Sequence, residues 1–332
     1  LAVAFTQGEG GAVEFRADLM DLRKAGLMSL GDRITMAGII HKMELRGTFS
    51  AETGSLESIQ WDQSHVMHEP NHASKGECCR DPLGRLKELI GVQLGLGFAA
   101  TLKQIFGGPL GCTHISTLFQ ELSAFVARLG VMRAAHPELI SSRRPGERIA
   151  TRSLYFDAFL PSEGGSETDI SVRLADLFYA IAAPSGAEVL FEHDELRLVA
   201  QVDLAGWQFK SGEARERCRR GPTCENSSWT LRSDALSDFA GQSLGGGMAR
   251  LCLQKFGDSD ADARLLSALL SLGPGMTQVG AAVSDTLAPS SSAAPPGSGL
   301  PGPGPCYMLR TGGPLIESMF SGGLMSKAEK GE

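Results

Sequence analysis

The sequence predicts an α+β fold built as two tandem copies of an antiparallel sheet domain, each with helices packed on one face. Three observations carry this. Runs that alternate apolar and polar residues in the manner of half-buried strands come first in each half, at 34–40, 43–49 and 56–61, then at 189–191, 196–204 and 207–209. Runs with apolar residues three and four apart follow them, at 82–90, 97–106 and 113–129, then at 233–239, 247–256 and 261–272. Strands before helices implies an antiparallel sheet with helices on one face, not helices alternating with parallel strands. The third observation is an internal likeness. Segments 91–107 and 241–257 agree without a gap at 8 of 17 positions: Gly91/Gly241, Leu94/Leu244, Gly95/Gly245, Gly97/Gly247, Ala99/Ala249, Gln104/Gln254, Phe106/Phe256 and Gly107/Gly257. Upstream, Glu44-Leu45-Arg46 meets Glu195-Leu196-Arg197, and Phe15 to Leu19 resembles Val172 to Leu177 with one residue inserted.

The copies are read as 1–135 and 150–287, joined by a linker at 136–149 whose Ser-Ser-Arg-Arg-Pro-Gly-Glu core breaks regular structure. Residues 288–305 are Pro, Gly, Ser and Ala, a composition that forms no packed core and reads as a tether. The less polar segment 306–332 either docks back on one of the domains as a strand or turn, or frays as a tail.

Composition narrows the function classes. The 332 residues carry 31 Lys plus Arg against 38 Asp plus Glu, a formal charge of -7, which argues against a protein that tracks nucleic-acid phosphates. No run of about 18 apolar residues offers a membrane span. The first ten residues lack the basic flank and apolar centre of a secretory signal, so a cytoplasmic location is expected; an initiator Met is also lacking. Seven cysteines, an odd number spread along the chain, do not read as a disulfide framework and suggest reduced thiols.

Six of the seven His precede residue 150, as do Cys78, Cys79 and Cys112. The segment Gly107 to His114 reads G-G-P-L-G-C-T-H between two helical runs. A thiol at a helix start lies in the positive end of the helix dipole, which favours the thiolate, so Cys112 is a candidate ligand or nucleophile, and His114 lies within reach if the backbone turns there. His65, His68, His72 and the Cys78-Cys79 pair lie in a polar loop after the third strand, and His41 stands at a strand start. One ligand from each of several elements is a usual way to hold zinc or iron, and His41, Cys79, Cys112 and His114 can supply such a set. The thiol alternative makes Cys112 the nucleophile, with His114 or His41 as base and the N–H groups after Gly111 as an oxyanion hole. In the second half both candidates are gone: the gapless offset sets Asp262 and Arg264 opposite Cys112 and His114, and an alignment on Gly273 to Gln278 sets Met276 and Gln278 there. Arg215 to Arg220 reads as a basic run solvating a loop, and Gly245-Gly246-Gly247 lacks the context of a nucleotide loop.

Residues 32–119 resemble a bacterial family known as domain of unknown function 2889. The resemblance is carried by His41-Lys42-Met43 at a strand start, Cys78 or Cys79 after the third strand, the helix start near Gly91 to Phe98, and Gly107 to Ile115 for the family's G-G-x-x-G-C-T-H-L signature. Lys42 replaces the family's usual acidic residue. The family has no established reaction, so the resemblance implies a fold and site residues. A fainter similarity, in element order and in ligands spread over three loops, is to iron–sulfur cluster scaffolds of the NifU N-terminal type. The first cysteine of that scheme is absent, which leaves a mononuclear zinc or iron site.

These readings converge on a metal-dependent or cysteine-dependent enzyme, a hydrolase or lyase acting on a small molecule, with one working and one structural copy. The alternatives are a non-catalytic metal or ligand scaffold and an accessory subunit that binds another protein.

Overall fold

The computed structural model describes residues 1–30, 33–95, 97–137, 143–159, 166–181, 189–221, 227–244, 248–257, 259–283, 304 and 306–321. The Gly245–Gly247 run and most of the 288–305 tether lie outside them.

Among the described residues, nine strands form one antiparallel sheet. In chain order they are β1 (Ala2–Gln7), β2 (Ala12–Leu30), β3 (Arg33–Ser50), β4 (Leu56–His65), β5 (Arg148–Ala158), β6 (Glu167–Tyr179), β7 (Leu190–Asp203), β8 (Gln208–Arg220) and β9 (Thr230–Leu231). Their order across the sheet is β4-β3-β2-β1-β5-β6-β7-β8-β9. The helices are α1 (Phe98–Phe106), α2 (Thr113–Ala135), α3 (Met248–Phe256), α4 (Ala263–Val283) and α5 (Pro314–Ser321), with tighter 3₁₀ turns at Asp81–Leu89 and Ser233–Phe239. The predicted α+β class with a large antiparallel sheet is what the chain adopts. No helix among the described residues is long and apolar enough to cross a membrane.

The sheet does not stop at the boundary read between two domains. β1 pairs with β2 on one side and β5 on the other, with Ala2 opposite Ser153 and Val3 opposite Arg152. Several strands are also longer than their apolar runs. The runs 34–40 and 43–49 are one strand, β3, because the polar pair His41-Lys42 stays in the ladder between them. His41 is therefore well inside a strand, not at its start. Arg215–Arg220, read as a solvated loop, forms the end of β8, where Arg219 holds Glu195 and Arg220 holds Glu192, each at 2.8 Å. Cross-strand carboxylates thus make a basic run compatible with a ladder.

Alternation sets the two faces of the sheet. Val13, Phe15 and Ala17 of β2 point to the helices and are buried, whereas Glu14, Arg16 and Asp18 between them face away from the core. Leu196, Leu198, Ala200 and Val202 do the same in β7. Two apolar clusters result, one under α1 and α2 and one under α3 and α4. The first includes Ile149, Ala150 and Phe178 from beyond residue 147. Phe125 of α2 stacks on Phe5 at 4.7 Å and lies 5.8 Å from Phe178, so one helix covers strands from both halves.

Between the clusters lies Arg152 of β5, 1% exposed. Its guanidinium donates to Asp176 at 2.7 and 2.8 Å, to Glu121 of α2 at 3.2 Å and to Ser267 of α4 at 3.4 Å, and it lies 5.0 Å from the Phe125 ring centre. Breaking a buried pair by removing one partner leaves the other charge unpaired in a medium that solvates it poorly, at a cost of roughly 3–5 kcal/mol. Arg152→Met is expected to lower unfolding stability by about that amount; an unchanged urea midpoint would show that the network does not hold the halves together.

Candidate functional site

The site is built where the N-terminus of α2 meets the β2–β3 ladder. Cys112 is the residue that caps α2, with extended backbone, and its carbonyl accepts the first helical hydrogen bond from Ser116 N–H at 2.9 Å. Glycine at 111 permits this approach, since a Cβ there would meet the Phe106 carbonyl oxygen at 2.1 Å. His114, in the first turn, is thereby pointed back over the sheet. Its Nδ1 lies 3.9 Å from Cys112 Sγ and its Nε2 lies 3.7 Å from Asp21 Oδ2.

Asp21 and His41 are cross-strand partners in the β2–β3 ladder, and the register slips immediately after them, Leu22 pairing with Ile39. A bulge bends the strand and re-aims neighbouring side chains. Here it leaves Ile40 unpaired and coincides with Asp21 Oδ2 and His41 Nδ1 meeting at 3.0 Å. The His41 and His114 rings lie 4.1 Å apart, so one carboxylate oxygen serves two imidazoles. Among the described residues, the groups of three or more whose ligating atoms converge are Asp21–His41–His114 and Glu192–Asp194–Cys218. The second is already neutralised by arginines: Arg128 reaches Glu192 and Asp194 at 2.7 and 2.9 Å, and Arg264 reaches Asp194 at 2.9 Å.

Burial opposes charge on every member of the first group, and the partners decide which charges survive. For Cys112 burial alone would raise the thiol, but the hydrogen bond and charge of His114, aided by the N–H groups of Ile115 and His114, bring it below its ordinary 9.0. For His114 burial works downward and is overcome by hydrogen bonds to Asp21 and Cys112, which raise it to about 9. Asp21, held by both imidazoles against its own burial, is pushed well below the usual carboxylate range. His41 is lowered to about 4 by burial and by the neighbouring His114 charge, against the pull of Asp21. At neutral pH the site therefore holds an imidazolium, a carboxylate and a neutral imidazole, beside a thiol shifted toward ionisation.

The second half of the chain closes one side. Gln278 Nε2 of α4 lies 2.6 Å from His114 Nε2, a placement in which the amide donates to an unprotonated ring nitrogen; to serve an imidazolium the amide would have to turn its oxygen to that edge. The C-terminal segment closes another: Tyr307 N–H donates to the Gly111 carbonyl at 2.8 Å, and Arg310 pairs with Glu77 at 2.6 Å.

Of the residues singled out from sequence, Cys112, His114 and His41 come together, and Cys79 lies within electrostatic reach of Cys112. Cys79 and Cys112 belong to neither converging group. Cys78 is engaged elsewhere, its thiol donating to Asp81 at 3.2 Å. His65 and His72 are exposed, and His68 is buried. Sequence reasoning does not single out Asp21 or Gln278. Asp21 looks like one more charge in an alternating strand, and only the bulge and the pairing register make it a partner of His41.

The two shifts of the thiol–imidazole pair have opposite linkage to stability. The raised His114 contributes stability that is complete below 6.5 and lost as pH rises through about 9. The lowered Cys112 contributes stability that is complete above 9.0 and lost as pH falls through its depressed value. Over the interval they share the two act in opposite directions, so titration of the pair is read more directly on the thiol than in global unfolding. Iodoacetamide labelling of Cys112, followed by peptide mass, should begin to fall at a lower pH than that of an ordinary thiol. In His114→Gln it should fall about tenfold per pH unit below roughly 8.5, the ordinary thiol value. The same slope in both proteins would dismiss the ion pair.

Comparison with known proteins adds one relationship. No curated protein and no solved structure matches the chain. The likeness to iron–sulfur scaffolds therefore gains no support from either. The model of the family described as protein of unknown function (DUF2889) matches residues 1–128, a span that contains Asp21, His41, Cys112 and His114, so the chain is similar to that family over this part of its length.

Proposed function

We propose that the protein is a cysteine-dependent enzyme acting on the acyl group of a small molecule, with Cys112 as nucleophile, His114 as acid and base, and Asp21 orienting His114. The observation that carries this reading is the row Sγ–Nδ1 at 3.9 Å and Nε2–Oδ2 at 3.7 Å, with the thiol lowered and the imidazole raised. In such a row the thiolate adds to the carbonyl carbon, the leaving group departs with the proton of His114, and His114 then takes a proton from the water that hydrolyses the thioester. In this reading the N–H groups after Gly111 would turn to the oxyanion as the sulfur becomes bonded to carbon. His41, neutral and bonded to Asp21, is a positioning residue in this scheme.

The cleft between α2 and α4 is lined by Thr117, Gln120, Glu121, Ser267 and Ser271, beyond the first turn of α2 and apart from Cys112 and His114. Free thiols at Cys78, Cys79, Cys112, Cys218, Cys252 and Cys306 suit a reducing compartment, and a cytoplasmic location goes with this reading. The expected outcome with a panel of small activated thioesters and esters is a transient acyl adduct on Cys112, with turnover lost in Cys112→Ser and strongly reduced in Asp21→Asn. Turnover that survives Cys112→Ser, or a panel that leaves no adduct, would overturn the assignment.

A second reading, zinc or iron held by Asp21, His41 and His114, is favoured by the convergence of their ligating atoms. Ligands about 2 Å from a tetrahedral ion lie roughly 3.3 Å from one another, and Asp21 Oδ2 lies 3.0 and 3.7 Å from the two imidazole nitrogens. His114 Nε2 would exchange Gln278 for the ion, which would polarise a bound water or carbonyl. Metal analysis separates the readings: one ion per chain, lost in Asp21→Asn and kept in Cys112→Ser, supports the metal, and metal-free protein excludes it.

The tandem-duplication reading also draws support from register. The pair Arg16–Arg46 corresponds to Arg173–Arg197, and the same displacements carry the Asp21–His41 pair to Phe178–Glu192, where the register slips in the same way. His114 then corresponds to Arg264, so the second half keeps the bulge and fills it with salt bridges.

A further inference from the structure

We propose that Cys112 and Cys306 form a redox latch, in which a hydroperoxide oxidises Cys112 and Cys306 closes it to a disulfide that pins the C-terminal segment over the site. The segment is seated for this. Gly304 lies against Gly108, where a Cβ would meet the Gly304 carbonyl oxygen at 3.4 Å, and Tyr307 N–H bonds the Gly111 carbonyl at 2.8 Å. Cys306 is thus held along the Gly108–Gly111 turn that leads into Cys112, and it lies close enough for Cys112 to help, after burial, to raise its thiol. Met308 and Leu315 are buried, while Arg310 to Glu77 at 2.6 Å and Lys75 to Glu317 at 3.5 Å tie the segment to the loop before α1. A third thiol, Cys79, lies in the same electrostatic neighbourhood. Its backbone is fixed by its N–H bond to the His68 carbonyl, in a loop already braced by Cys78 on Asp81. Cys306 instead stands two residues after Gly304, whose φ of 113° is a backbone conformation that glycine adopts without strain.

The chemistry is complete with the peroxide as oxidant. The Cys112 sulfur attacks the terminal oxygen of the hydroperoxide; an S–O bond forms, the O–O bond breaks, and the alkoxide or hydroxide released takes up a proton. Sulfur is oxidised to the sulfenic acid and the peroxide is reduced to an alcohol or water. The Cys306 sulfur then attacks the Cys112 sulfur; the S–S bond forms, the S–O bond breaks, and the hydroxide leaves as water with the Cys306 proton. That the latch switches activity off rests on the acyl-transfer reading above; the disulfide itself does not.

The full chain, reduced and then treated with hydrogen peroxide at one equivalent, is expected to give a linked peptide pair containing Cys112 and Cys306. In Cys306→Ser the link should be absent and Cys112 should be trapped by dimedone as the sulfenic acid. Dithiothreitol should restore alkylation of both thiols in the wild type. A link joining Cys79 to Cys112 or to Cys306, or a titration that oxidises neither Cys112 nor Cys306, overturns the latch. The peptide map of the wild type decides this whether or not Cys306→Ser folds. Acyl turnover that persists in the linked protein would instead strike the catalytic reading and leave the latch standing.

Discussion

Arg152 carries a full charge at 1% exposure, and the groups that make this tolerable come from β6, α2 and α4, so β5 can lie mid-sheet only with both long helices laid across it. That constraint reaches the site. With Glu121 held at the sheet centre, the N-terminus of α2, two turns away, is fixed over β2 and β3, where His114 meets Asp21 and His41. With Ser267 held likewise, α4 runs back along α2 until Gln278 reaches the same imidazole. A buried ion pair is weak evidence for stability, but this one determines which ends of which helices come together.

The site's charges follow from the same matching of partners. A thiol and an imidazole at low exposure would each prefer to be neutral, and their mutual hydrogen bond together with Asp21 reverses that preference for both. His41 stays neutral because its burial and the neighbouring His114 charge outweigh the pull of Asp21. Two histidines 4.1 Å apart thus differ in charge because one carboxylate cannot stabilise two adjacent cations equally.

Much of the fold and site is legible in the sequence, and the omissions have physical causes. Cys112 and His114 announce themselves, because a glycine-rich break before an apolar helical run exposes a thiol at a helix start. His41 is conspicuous as a polar residue between apolar ones. Asp21 is not, since alternating charges are the normal outer face of a strand, and a bulge that re-aims one of them leaves no mark in local periodicity. The strands β1, β2, β5 and β6 escape the sequence reading although Val13, Phe15 and Ala17 alternate with charges, because a short apolar set between charged residues is a weak signal without its partner strand. Continuity of the sheet is hidden for a similar reason: Ala2 and Ser153, which face each other where β1 meets β5, are small and carry no apolar pattern.

The contact of Gln278 with His114 has one more implication, for the boundary of the family-matched segment. Residues 1–128 contain the thiol, both imidazoles and the carboxylate, yet they do not complete the hydrogen bonding of His114, whose Nε2 edge faces a side chain more than a hundred residues downstream. The segment that sequence comparison recognises as a unit thus holds the groups that set the charges of thiol and imidazole, and leaves one edge of His114 to be met from α4. Taken alone, it would leave that edge to water.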